Sequence, residues 1–250
     1  MGGGASTIAG FEALSPADQA NAQAQYQALV ADGTSDETAM TAIRAKFTAA
    51  TVLIELPQLL DAIAAAVSRG KTPLVVDASD RVNTFFSYRQ CTLLDGKKMA
   101  MDKSMRKVPV PEIMEEARAR LVGALKCGHP MVIAMNQCVV DVWKTFNDAT
   151  LPVDVTQHGR LAFFPSDLVC SNAGKGLLNH LDSLYRPADT KDTSNIPLCR
   201  NPNEFHVVLT SNFAHVDFEK YLFKPEMGLP PPKYQYEFIL VQQEAIEEDL

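Results

Sequence analysis

Thr72-Pro73-Leu74-Val75-Val76-Asp77 runs directly into Ala78-Ser79-Asp80-Arg81-Val82-Asn83-Thr84. A short β-rich apolar run closed by a polar turn reads as a buried strand. Val82, Phe85 and Phe86 beyond the turn read as the apolar side of a helix. The same order recurs downstream. Cys91-Thr92-Leu93-Leu94-Asp95 reads as a second strand, and Ile113, Ala117, Leu121 and Leu125 recur every four residues on a long amphipathic helix. Gly128-His129-Pro130 stops that helix, and Met131-Val132-Ile133-Ala134-Met135 reads as a third strand. Val139 to Phe146 reads as helical, and residues 147–202 as irregular apart from a short helix over Leu177–Leu184. Phe205-His206-Val207-Val208-Leu209-Thr210 and Tyr236-Glu237-Phe238-Ile239-Leu240-Val241 supply two more strands. Strands alternating with helices predict an α/β fold, a parallel sheet flanked by helices with right-handed crossovers.

Upstream the pattern is helical. Ser15-Pro16-Ala17-Asp18 is a helix start, Ser35-Asp36-Glu37 another, and Leu56, Leu59, Leu60, Ile63 and Val67 mark a third helix closed by Arg69-Gly70. The expected organisation is a flexible N-terminus over 1–14, a helical segment over 15–70, an α/β domain over 71–243 and an acidic tail over 244–250. The 250 residues carry a net charge of -7, which argues against broad electrostatic binding to nucleic acid. Hydrophobic residues make up 46%, enough for a real core. No apolar run reaches the roughly 18 residues of a membrane span, so a soluble protein is expected. Five scattered cysteines read as reduced thiols in a cytosolic compartment. Met1-Gly2-Gly3-Gly4-Ala5-Ser6 reads first as a flexible glycine-rich start; it also fits the loose pattern for N-myristoylation at Gly2, without a polybasic second anchor.

The span from Leu56 to Val241 resembles the degenerate AAA modules of P-loop ATPases. It is similar to the fifth module of the dynein heavy chain and to the C-terminal module of IQ-motif and ankyrin-repeat proteins. Three places carry the likeness: the opening strand into the helix through Asn83 and Phe85, the helix ending at Gly128-His129-Pro130 before a strand, and Phe205 to Asn212, matching the strand that ends in a sensor turn. The resemblance implies a P-loop NTPase-like sheet. It also implies that Asp77, Asp80, Asn83, Thr84, Asn136, Gln137, Thr210 and Asn212 stand at the positions of a nucleotide site.

The chemistry at those positions has been lost. A phosphate loop needs glycines whose amides approach the anion, a Lys for the phosphates and a Ser or Thr on Mg²⁺. Ala78 to Thr84 holds no Gly and no Lys, and Asp80 adds negative charge where phosphate would sit. Asn136-Gln137 stands where the family has Asp-Glu; neutral amides neither balance Mg²⁺ nor act as a general base. With about nine residues after the last strand, no helical lid like the family's is expected. The expectation is a pseudo-ATPase, with no catalytic residue, no cofactor and no metal.

Other constellations are weaker. In Asn172-Ala173-Gly174-Lys175-Gly176 the earlier Gly of a phosphate loop falls at Val169, so a helix-entry turn is expected. Cys127 and His129 have no second pair at zinc spacing. His206 reads as a core histidine inside its strand, and Arg81 as an ion-pair partner of Asp77 or Asp80. Trp143 and Phe163-Phe164 read as core or interface, and Pro225 to Pro232 as a rigid exposed strap. Lys97, Lys98, Lys103, Arg106 and Lys107 form a basic loop, either solvated or able to dock an acidic partner such as a tubulin surface. The expected function is a non-catalytic scaffold with protein partners. By the resemblance, its place is a cytoskeletal, microtubule-associated assembly of the ciliary or flagellar axoneme. The alternative is a regulator that binds ATP or ADP with little hydrolysis.

Overall fold

The computed structural model describes residues 14–146, 172–179, 181–190, 198–225 and 227–243. Gly2, Phe163-Phe164, Val169, Cys170 and the acidic tail lie outside the described residues. The chain divides into two units, Met1–Ala50 and Thr51–Leu250.

In the first unit α1 (Pro16–Ala31) and α2 (Asp36–Phe47) start where the sequence places them. Ser15 Oγ accepts from the Asp18 amide and Ser35 Oγ from the Thr38 amide. Each cap satisfies a helix N–H that has no intrahelical partner. Lys46 Nζ donates to Gln25 Oε1 at 2.6 Å and joins the two helices.

The second unit is built on one six-stranded, all-parallel sheet in the order β1-β6-β2-β5-β4-β3. The strands are β1 (Ala50–Ile54), β2 (Thr72–Val76), β3 (Thr92–Asp95), β4 (Met131–Ala134), β5 (Val207–Ser211) and β6 (Tyr236–Val241). Val75 is in register with Ile239 on one side and Thr210 on the other, which makes β2 the centre of the sheet. Its five residues are all buried, as a strand covered on both faces requires. α3 (Leu59–Ser68) and α4 (Arg81–Ser87) cover one face, where Leu59, Ile63, Val82 and Phe86 meet Val75, Val132, Val208 and Ile239. Leu94 belongs to the other face and lines a small cavity with Met99 of α5 (Gly96–Ser104) and Ile113 and Ala117 of α6 (Val110–Cys127). The short helix Phe218–Leu222 sets Phe218 edge-on against Phe238. Among the described residues, no helix is long and apolar enough to cross a membrane.

Several expectations need correcting. The helical segment stops at Phe47: β1 and α3 belong with the sheet, and Gln242 N donates to Ile54 O at the end of β1. Val52-Leu53-Ile54 is too short a run to separate strand from helix by period. The basic loop is helix α5, capped by Asp95, whose carboxylate accepts from the Lys98 amide. Its charges conceal an inward face, with Met99 and Asp102 both buried. Val139 to Phe146 forms turns instead of a helix. The Asp141 carboxylate draws the amides of Lys144, Thr145 and Gly228 to itself and so competes with helical bonding. The proline-rich strap is not exposed throughout, since Leu229 and Pro230 are buried and Tyr236 Oη donates to the Pro230 carbonyl. His206 precedes β5 instead of lying within it. Its Nδ1 is 2.6 Å from Glu204 O, and burial pushes its pKa down.

Candidate functional site

Three neighbouring strands, β2, β5 and β4, end side by side and release Asp77, Asn212 and Asn136 from their carboxyl ends. The sheet ladder continues past the strands: Asp77 N donates to Ser211 O, Met135 N to Thr210 O, and Asn212 N to Asn136 O. The chain leaves β2 toward one edge of the sheet and later crosses to β6 on the other side. In open α/β sheets, ligands bind in the crevice at the carboxyl ends of the strands where the order reverses.

Asp77 is 1% exposed. One carboxylate oxygen accepts from Ser79 N at 3.0 Å and from Ser79 Oγ; the other accepts from Val82 N at 2.9 Å. A phosphate bound at this turn would need the amides of the turn and of the first turn of α4. Here the chain's own carboxylate consumes the Ser79 and Val82 amides. Asp80 adopts a left-handed conformation (φ 63°) and makes no side-chain cap bond to α4.

Asn83 ties the loops together. Its Nδ2 lies 2.6 Å from Asp80 Oδ1, 3.1 Å from Asn136 Oδ1 and 2.9 Å from Asn212 Oδ1, while its Oδ1 accepts from Thr210 Oγ1 at 2.7 Å. Three acceptors surround an amide nitrogen that carries two protons, so at least one bond is shared. Asn212 Nδ2 donates to Asp77 O and to Asp80 Oδ1 at 2.9 and 3.0 Å. Gln137 Nε2 reaches Asn212 O at the longer distance of 3.3 Å. Asn136 is a second left-handed residue, at φ 53°, so two non-glycine positions of one crevice occupy a costly backbone region.

Seven of the eight residues singled out from the sequence thus meet in one network. Thr84 stays local, with its Oγ1 bonded to Asp80 O. Arg81 reaches Ser79 Oγ and the Gln242 carbonyl, which carries the chain leaving β6 to the rim of the crevice. Three contributors were not singled out: Ser79, Ser211, whose Oγ lies 3.4 Å from Asn136 O, and His215, whose Nε2 lies 3.2 Å from Val76 O. Ser79 carried a signal, because Asp-x-Ser is a local turn in which the Asp accepts from the residue two ahead. Ser211 and His215 carried none, since their partners come from distant strands.

The Gly174-Lys175 string lies at the opposite, amino-terminal end of the sheet. Ala173 N donates to Thr72 Oγ1, and Lys175 Nζ to the carbonyls of Pro202 and Asn203. Among the described residues no group of three or more His, Cys, Asp and Glu side chains could hold a metal ion, and four cysteines are free.

The five cations of α5 and its end separate into two classes. Lys98 pairs with Asp102 at 3.0 Å and Glu116 at 2.6 Å, and Arg106 pairs with Asp102 at 2.7 Å. Lys98 holds the pKa values of both Asp102 and Glu116 below their ordinary range. Lys97, Lys103 and Lys107 are exposed and make no ion pair among the described residues; Lys103 Nζ reaches Thr145 Oγ1 at 3.1 Å. Comparison with protein-family models, with curated proteins and with solved structures finds no match for this chain.

Proposed function

We propose that this chain is a non-catalytic, AAA-like scaffold whose nucleotide crevice has become an internal polar lock. The observation that carries the reading is the Asp77 carboxylate, buried and bonded to the Ser79 and Val82 amides where a phosphate would lie. With β2 to β6 counted as one to five, the sheet reads 5-1-4-3-2, the order of the P-loop ATPase folds the sequence resembles. That agreement supports the likeness on topology, independently of any motif. Asn83 and Asn136-Gln137 supply hydrogen bonds in place of the cationic and acidic groups of an ATPase, and those bonds go to groups of the chain itself, among them Asp80, Thr210 and Asn212. By the same resemblance, the partners are proteins of an axonemal, microtubule-associated assembly.

Thermal unfolding with and without Mg²⁺ and ATP or ADP tests the reading. A ligand at a hundredfold excess over its Kd stabilises the native state by about 2.7 kcal/mol. The expected result is an unchanged midpoint for the sheet unit. A clear upward shift would replace the scaffold with a regulator that holds nucleotide. Phosphate release above background would make it an ATPase. For the location, a tagged chain should stay with demembranated axonemes, and quantitative loss to the soluble fraction would overturn that part.

A further inference from the structure

The end of α5 presents an unusual turn. Met105 is 72% exposed and stands between Lys103 on one side and Arg106 and Lys107 on the other. Met105 N and Arg106 N both donate to Met101 O, and Val108 N donates to Asp102 O. Lys107 closes the turn at φ 58°, a left-handed position that glycine adopts without penalty and that commonly ends a helix as Gly. A lysine there keeps a strained backbone and gains a cation at the tip. Beneath it, Asp102 has a side chain only 7% exposed and holds Lys98 and Arg106 in place. The cations left over at this end are Lys103 and Lys107, flanking an exposed apolar side chain.

We propose that Lys103, Met105 and Lys107 form the docking element for an acidic segment of a protein partner, with Met105 as its apolar contact. The inference rests on the scaffold reading and names the partner chemistry. Charge complementarity selects the occupant: the chain is acidic overall, at -7, and this turn is a cationic exception. Within a Debye length of about 8–10 Å a local patch outweighs the distant charge. Met105 favours a polypeptide over a polyphosphate chain, which offers no apolar side group. Lys97 stands at the far end of α5, and Lys98 and Arg106 are already paired with carboxylates, so none of the three belongs to the element.

The test uses the full-length protein and a fluorescein-labelled peptide of alternating Glu and Leu, followed by anisotropy at about 20 and 150 mM salt. The double variant Lys103→Glu with Lys107→Glu should weaken binding about tenfold or more, chiefly at low salt, while Lys97→Glu changes it less than about threefold. Met105→Ser should also weaken binding, with little dependence on salt. Lys107→Gly separates docking from folding, because it should raise the unfolding midpoint yet weaken the peptide. Absence of binding, indifference to the double reversal, or equal competition by oligo-uridine of the same charge would overturn the proposal. The nucleotide experiment reads the crevice alone, so docking can fail while the scaffold reading stands.

Discussion

Asn83→Asp changes one atom of the crevice network and leaves its volume intact. The Asn83 amide donates toward Asp80, Asn136 and Asn212 and accepts from Thr210. An ionised carboxylate keeps only the bond from Thr210 and turns an acceptor toward three oxygens. Two lost protons remove about 2 kcal/mol of net hydrogen bonding. Repulsion from Asp80 adds to this. It is bounded at about 4 kcal/mol at pH 7, because the introduced acid can take up a proton instead. Reorientation of the Asn136 amide relieves part of the cost. Asn212 cannot follow, because its Nδ2 holds Asp77 O and Asp80. The expected loss is about 3–4 kcal/mol at pH 7, or roughly 6–16 °C in Tm for a unit of this size. The introduced carboxyl has a folded-state pKa above its unfolded value. Its penalty is therefore absent below the unfolded value near 4 and grows with pH by about 1.4 kcal/mol per unit up to the folded value. Calorimetry of wild type and variant between about pH 4.5 and 7 measures the gap. A Tm within about 2 °C of wild type at pH 7, or a gap unchanged by acid, would refute the network.

Two further outcomes follow from single contacts. A Cβ at Gly228 (φ +88°) would lie 2.3 Å from Leu222 O. Gly228→Ala should therefore cost about 2 kcal/mol or more in urea unfolding, combining left-handed strain with a backbone clash; a midpoint equal to wild type would contradict the packing of this turn. Lys98 depresses the pKa values of Glu116, ordinarily 4.5, and Asp102, ordinarily 3.8. Depressed carboxylates add stability above their unfolded values and lose it as pH falls through the folded ones. Lys98→Ala should therefore lower Tm by a few degrees at pH 7, and the difference should close as pH drops below 4.5. A difference as large at about pH 3 as at pH 7 would assign the role of Lys98 to packing.

The α/β class, the starts of α1 and α2, and five of the six strands were legible from residue order, because caps and apolar periods are local signals. β6 spans the predicted residues, Tyr236–Val241. The crevice positions came from the family resemblance and from no local period, and seven of those eight residues meet in one network. Strand order, the membership of β1 and the fate of each charge came only with the tertiary structure. Asn83 and Asn212 lie 129 positions apart and share a hydrogen bond. Lys98 and Lys103 look alike in sequence, yet one has its charge balanced by Asp102 and Glu116 and the other does not. A side chain's local context sets whether it can donate, accept or carry charge. Which group meets it is decided by the sheet that brings distant loops within about 3 Å, and no local period records that.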